Sequence, residues 1–370
     1  SDLINAFKTI VDLSNGTTAA EVTSCVKTKE DRKKWWETRF ELDSKMKSLL
    51  HYIEEKVLGA FANIFAPYYF DQSMPEFQKF EQETKALGLK FNMQHLGLIF
   101  NQEKPHELID QGIIDEYSLG LLRTLINKHG KKLELCKKPV KHTVLITSNQ
   151  SHAIPWESLA TLEPLSVSRM PSLHSLHKLL QTQNQCIHIT KKDVAMIINP
   201  NGDLPKTQSR FENLIFGCES VIVNEKPTSK QFMNMLEERK AFVYIGHGSG
   251  DQYVRVSEIK KSAKISPSFL LGCSSAYMKP RGQLNSTGTI IGYLLGGAPF
   301  VVGNLWDVTD KDVDKFSLSM FEKMGFLNTN ANEYQNVAAA VSRSRNVCKL
   351  RYLNGAAPIV YGLPIEIKFL

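Results

Sequence analysis

The sequence predicts an α/β protein: a mainly parallel β-sheet sandwiched by helices, preceded by a mostly α-helical domain. Three observations carry this. After about residue 140, short runs such as TVLIT (143–147) and AFVYI (241–245) are apolar throughout, not alternating. Strands of that kind belong in a sheet covered on both faces. Helical stretches separate the runs, the order of a chain that builds parallel strands. Before residue 135 the pattern is helical instead, which divides the chain into a helical domain over 1–135 and an α/β domain over 136–370.

Taken in order, the clearest helix covers 31–65. Trp36 and Phe40 lie four apart, and Leu42, Met46, Leu49, Ile53 and Val57 follow at steps of three or four. That spacing lines one face of a helix with apolar side chains. A second helical region spans 76–130, with breaks at Gly88, Pro105 and Gly112. Strands are predicted at 143–147, 193–198, 219–223, 241–245, 268–271, 299–303 and 358–361. Helices are predicted near 173–182, 207–216, 228–239, 284–296, 310–324 and 333–347.

Composition narrows the class. The 370 residues are enough for two or three domains, and 42% hydrophobic with 22% charged is ordinary for a chain with a large core. The net charge of +7 is spread out, without the basic stripe of a nucleic-acid binder. Six cysteines are scattered with no CxxC pair, which reads as reduced thiols in cytosol or nucleus. The chain opens on Ser1 without a signal peptide and is read as a fragment of something longer. Residues 283–306 carry no charge and approach the length of a membrane span. Gly296-Gly297-Ala298-Pro299 interrupts them, so a helix, a turn and a strand fit better.

In open α/β sheets, ligands bind beyond the carboxyl ends of the strands. AFVYI is followed by Gly246-His247-Gly248-Ser249-Gly250, and SFLLG by Cys273-Ser274-Ser275. If these strands are adjacent and parallel, His247 and Cys273 emerge at one edge. A thiolate can attack a carbonyl, and an imidazole can activate the thiol and protonate a departing amine. Glycines beside His247, and the small residues after Cys273, leave room for a substrate backbone near oxyanion-binding N–H groups. Taken alone, Cys273 reads as an inert strand-end thiol and GHGSG as a turn or an anion-binding nest. Their pairing on consecutive strands favours a cysteine hydrolase.

Other features are weaker. His174 and His177 share a helix face with no third metal ligand spaced to join them. Trp35-Trp36 reads as helix packing. The acidic run Asp307, Asp310, Asp312, Asp314 reads first as a helix N-terminus. It also begins at a strand's carboxyl end, where Asp314 can reach a cationic substrate side chain; a desolvated carboxylate pairs best with Arg.

At these residues the sequence resembles the separases, cysteine endopeptidases of the caspase-like clan that cut cohesin at anaphase. The carriers are YIGHGSGDQYV (244–254), LLGCSSAYM (270–278), GTIIGYLLGGAPFVVGNLWDVTDKDVDKFS (288–317), IPWESL (154–159), VSRMPSL (167–173), INPNGDLPKTQSRFE (198–212) and APIVYGLP (357–364). The likeness is dense over 145–365 and looser over the Trp-Trp helix. It is that of the C-terminal region of a fungal, budding-yeast member. The resemblance implies a caspase-like fold, Cys273 as nucleophile, His247 as catalytic imidazole, and an oxyanion hole from the backbone N–H groups of Gly248 and Cys273. It implies cleavage after Arg, usually with an acidic residue three positions earlier. Asp314 is the favoured Arg-pocket carboxylate, with Asp312 and Asp310 behind it.

The resemblance further implies a substrate-binding or support role for 1–135, a cohesin kleisin as substrate, and securin as a pseudosubstrate inhibitor. A nuclear, cytoplasmic and spindle-associated location follows from it too. No cofactor, metal, nucleic acid or membrane is expected. An exposed cleft with a low-pKa thiol fits the need for tight inhibition. Ala276-Tyr277 departs from relatives that carry Gly and a smaller residue there, which bears on pocket lining. Two alternatives stay open: an inactive binding platform of the same fold, against which intact His247 and Cys273 argue, and a nucleotide-binding protein using GHGSG as a phosphate loop.

Overall fold

The structure is a computed structural model that describes residues 2–65, 67–89, 106–110, 112–182, 186–282, 284–327 and 336–369. The helical stretch expected over 90–105, with its break at Pro105, and the start of the helix expected at 333 lie outside the described residues. Two compact units are present: residues 50–143 with 159–165, and residues 1–49 with 144–158 and 166–370.

The smaller unit contains the strands β1 (Tyr68–Phe70) and β2 (Lys137–Pro139), paired antiparallel. Its core joins the Pro75–Ala86 and Glu116–Leu135 helices through Phe77, Phe80, Leu122 and Leu133. Asp115 caps the second helix by accepting from Ser118 N at 2.8 Å. The helix predicted over 31–65 is not uniform. It is α-helical over Lys29–Tyr52, widens to a π turn over Ile53–Leu58 and tightens to a 3-10 helix over Gly59–Phe65. Gly59 marks the change, at a φ of 50° that its missing Cβ permits.

The larger unit is built on an eight-stranded sheet. Its strands are β3 (Thr143–Leu145), β4 (Val167–Arg169), β6 (Val194–Ile198), β7 (Ser220–Val223), β8 (Ala241–Ile245), β9 (Ser268–Leu270), β12 (Phe300–Asn304) and β13 (Pro358–Gly362), in the order β3-β4-β13-β12-β9-β8-β6-β7. Two short pairs flank it: β5 (Cys186–Ile189) with β14 (Glu366–Phe369), and β10 (Lys279–Arg281) with β11 (Leu284–Thr287). The run β12-β9-β8-β6-β7 is parallel throughout, while β12 and β13 are antiparallel. Every residue of β6, β8, β9, β12 and β13 is buried, as their unbroken apolar runs predict. Phe269 meets Phe300, Phe321 and Phe326 at ring distances of 5.2–6.0 Å, largely edge-on.

Two expectations change. Residues 284–287 form β11, so the helix expected at 284–296 is confined to Thr289–Leu295. The cut at 135/136 also differs from the compact units, because residues 1–49 pack with the sheet. Arg39, fully buried, donates to Ser14 Oγ at 2.8 Å and Asn354 Oδ1 at 3.0 Å, and burial pulls its pKa down to about 10. Asp43 accepts from Tyr352 N and Leu353 N, each at 2.8 Å. Trp35 donates to Thr17 O, in line with its reading as a packing residue. No described helix is long and apolar enough to cross a membrane.

Candidate active site

Strands β8 and β9 are neighbours and parallel, with Tyr244 paired to Leu270. His247 lies three residues past Tyr244, and Cys273 three past Leu270, so the two occupy matching places beyond one edge of the sheet. The ladder continues into the loops through Leu271 N donating to Tyr244 O at 2.9 Å. The loops touch at Gly272, where a Cβ would lie 2.1 Å from Gly248 O and 2.4 Å from Gly246 O. Only glycine permits that approach.

The histidine loop is held from beneath. Tyr244 Oη donates to His247 O at 2.8 Å, and Gln252 Nε2 donates to the same carbonyl at 3.2 Å. Gly248 turns the chain at φ +65°. The imidazole is exposed, and its Nε2 lies 2.9 Å from Asp203 Oδ2.

The cysteine loop hangs from β12. Asn304 Nδ2 donates to Gly272 O and Asn304 N donates to Ser275 Oγ, both at 2.9 Å. Ser274 sits at φ 50°, uncommon for a residue with a Cβ, and its Oγ donates to Asp307 Oδ1 at 2.6 Å. Cys273 is half-buried, and its Sγ donates to Val308 O at 3.3 Å. Burial pushes the thiol up to about 11, and the charges of Asp307 and Asp310 act in the same direction. That direction is opposite to the low-pKa thiol that would fit tight inhibition. Among the described residues, the backbone N–H groups of Gly248 and Cys273 make none of the loop hydrogen bonds to backbone carbonyls.

The three acidic candidates diverge. Asp312 is buried and accepts from Asn354 Nδ2 at 2.8 Å and Leu350 N at 3.2 Å. That corrects its place among the Arg-pocket residues, since its carboxylate ties down the 350–354 loop. Asp314 is also buried, but both of its side-chain bonds converge on Oδ2, from Thr207 Oγ1 at 3.0 Å and from Arg210 Nη1. Burial raises its pKa, and the bonds from Arg210 and Thr207 oppose that. Asp310 is exposed and makes no side-chain hydrogen bond among the described residues. Surrounding protein still pushes its carboxyl up, against the pull of His247 and Arg210.

Sequence reasoning missed the segment after β6. Residues 199–210 deliver Asp203 to His247 and Thr207 and Arg210 to Asp314. Their signal was present in INPNGDLPKTQSR: Asn199 takes a φ of 50° and Gly202 one of +78°, and Asn199 Oδ1 accepts from Leu204 N at 2.8 Å. No spacing rule announces which side chains such a turn aims at the next strand. Among the described residues no cluster of three or more metal-ligating side chains occurs.

The chain as a whole is similar to known proteins. The chain matches the separin protease-domain family over two overlapping stretches, residues 1–114 and 89–313. It is 42% identical to separin of Saccharomyces cerevisiae, across 96% of this chain and 25% of that protein. With separin of Schizosaccharomyces pombe it is 34% identical, across 92% of this chain and 21% of that one. It superimposes on a crystal structure of the Saccharomyces cerevisiae separase–securin complex with a TM-score of 0.86 and 41% identity, covering 100% of this chain and 28% of that one. The chain thus spans about a quarter of the length of these relatives. It belongs to the separins, and what it matches there is their protease domain.

Proposed function

We propose that the chain is the catalytic part of a cysteine endopeptidase that cleaves after Arg in a cohesin kleisin subunit, so releasing sister chromatids. The observation that carries this is the parallel register of β8 and β9, which brings His247 and Cys273 to one sheet edge. In the reaction, the Cys273 thiol passes its proton to His247 as Sγ attacks the carbonyl carbon. The oxyanion accepts from the N–H groups of Gly248 and Cys273. His247 then gives the proton to the leaving amine, and water hydrolyses the acyl-enzyme.

The substrate Arg is read by Asp314, whose Oδ1 makes no hydrogen bond among the described residues and can accept a guanidinium while Thr207 and Arg210 hold Oδ2. Asp310, exposed nearby, adds negative charge at the entrance. Securin, the partner in a similar solved structure, inhibits by lying in the same groove as a pseudosubstrate. The helical residues ahead of the sheet contribute to substrate binding.

The test is cleavage of an Arg-containing kleisin peptide by the full-length protein. Wild type cleaves after Arg, and Cys273→Ala and His247→Ala each lose activity by about 1,000-fold or more. Undiminished cleavage by either variant removes the pair from the mechanism.

A further inference from the structure

Asp203 lies outside both strand-end motifs, yet it is the residue that holds the imidazole. It follows β6, the strand on the far side of β8 from β9. The turn that carries it is fixed without its side chain. Asn199 N donates to Ile245 O at 2.8 Å, Gly202 N to Asn199 O at 3.0 Å and Leu204 N to Asn199 Oδ1 at 2.8 Å. A Cβ at Gly202 would sit 2.5 Å from Asn224 Oδ1, which pins the turn from the other side. Among the described residues the Asp203 carboxylate bonds to nothing but His247, at 2.9 Å. A side chain that its own loop does not need, on a loop built this firmly, is placed for its one contact.

We infer that Asp203 is a positioning residue for His247, fixing the ring's tautomer and direction so that the other ring nitrogen faces the scissile bond. The inference rests on the protease reading above. An ionised carboxylate only accepts, so His247 Nε2 carries a proton toward Asp203 and Nδ1 is left for exchange with substrate. In the forward step, Nδ1 takes the proton from Cys273 Sγ as the S–C bond forms. It returns that proton to the amine nitrogen as the C–N bond breaks, while Nε2–H stays on Asp203 throughout. Both groups are about half exposed before substrate binds. Their hydrogen bond is therefore weak in the free enzyme and strengthens as a bound peptide excludes water. The effect belongs in kcat, not in substrate affinity.

The test is steady-state cleavage of an Arg peptide by full-length wild type, Asp203→Ala and Asp203→Glu. The alanine variant is expected to lose about 10- to 100-fold in kcat, with KM within about twofold of wild type. The glutamate variant, which keeps a carboxylate on the same loop, recovers most of that loss. Unchanged kcat in Asp203→Ala overturns the inference. So does a change confined to KM, which would make Asp203 a substrate contact, and so does a glutamate variant as slow as the alanine one. Wild type that cleaves no Arg peptide overturns the protease reading itself, whereas an active wild type with an equally active Asp203→Ala overturns this inference alone.

Discussion

Two ion pairs in the sheet-bearing unit use the same chemistry to different ends. Arg169, at the end of β4, grips Glu157 with both forks, Nε to Oε1 and Nη2 to Oε2, each at 2.6 Å. Its Nη1 and Nη2 also donate to the carbonyls of His152 and Ile154. Both partners are at most 2% exposed, and both carboxylate oxygens are taken. The Arg210–Asp314 pair buries only the acid, with Arg210 35% exposed and one carboxylate oxygen in use. A saturated pair holds structure, whereas an unsaturated one has capacity left for a ligand.

Substitutions can break that contrast. Glu157→Ala leaves Arg169 charged and unpaired in the interior and should cost about 3–5 kcal/mol in denaturant unfolding. A loss under 1 kcal/mol would show the pair is not what fixes this edge. Asp314→Ala should remove about 2–5 kcal/mol from kcat/KM for an Arg peptide. Labelling of Cys273 by a small neutral alkylating reagent should change little. Equal cleavage of Arg and Leu peptides by wild type would contradict the assignment. Asp312→Ala, which leaves Leu350 N without its acceptor and Asn354 Nδ2 with Thr309 Oγ1 alone, should cost about 1–3 kcal/mol of stability without altering the preference for Arg.

The contrast extends to acid, where the direction of each shift sets the sign. Burial alone would raise the Glu157 carboxyl, but Arg169 outweighs it and holds the group low. Its contribution to stability is present above the ordinary value near about 4.3 and is lost only as pH falls through the lower folded value. Burial raises the Asp314 carboxyl instead, so the two groups move in opposite directions from the ordinary values of their types. Carboxyl-resolved NMR titration should place Glu157 below and Asp314 above the ordinary value of its type, and shifts of one sign would remove the distinction.

The parts that were legible in the sequence are those set by local pattern. Fully buried strands announce themselves as unbroken apolar runs, which is why β6, β8, β9 and β12 fall within a residue or so of expectation. His247 and Cys273 were readable because each directly follows such a run. Strands β4, β5 and β14 are only three or four residues long, and no apolar run marks β4 (Val-Ser-Arg) or β14 (Glu-Ile-Lys-Phe). The packing of residues 1–49 with the sheet depends on Arg39 reaching Asn354, a contact no local window contains. The same holds for Asp312 and Asp314. They are two residues apart on one helix and equally buried, and only their distant partners set them apart.

The central claim is that Cys273 and His247 act on one carbonyl whose Arg is read by Asp314. An Arg-ended acyloxymethyl ketone, followed by mass spectrometry of the full-length protein, tests it most directly. The account predicts a single adduct on Cys273, formed much faster than with the Leu-ended analogue and slowed sharply by His247→Ala and by Asp314→Ala. An adduct elsewhere, or one on Cys273 indifferent to both substitutions, would contradict it.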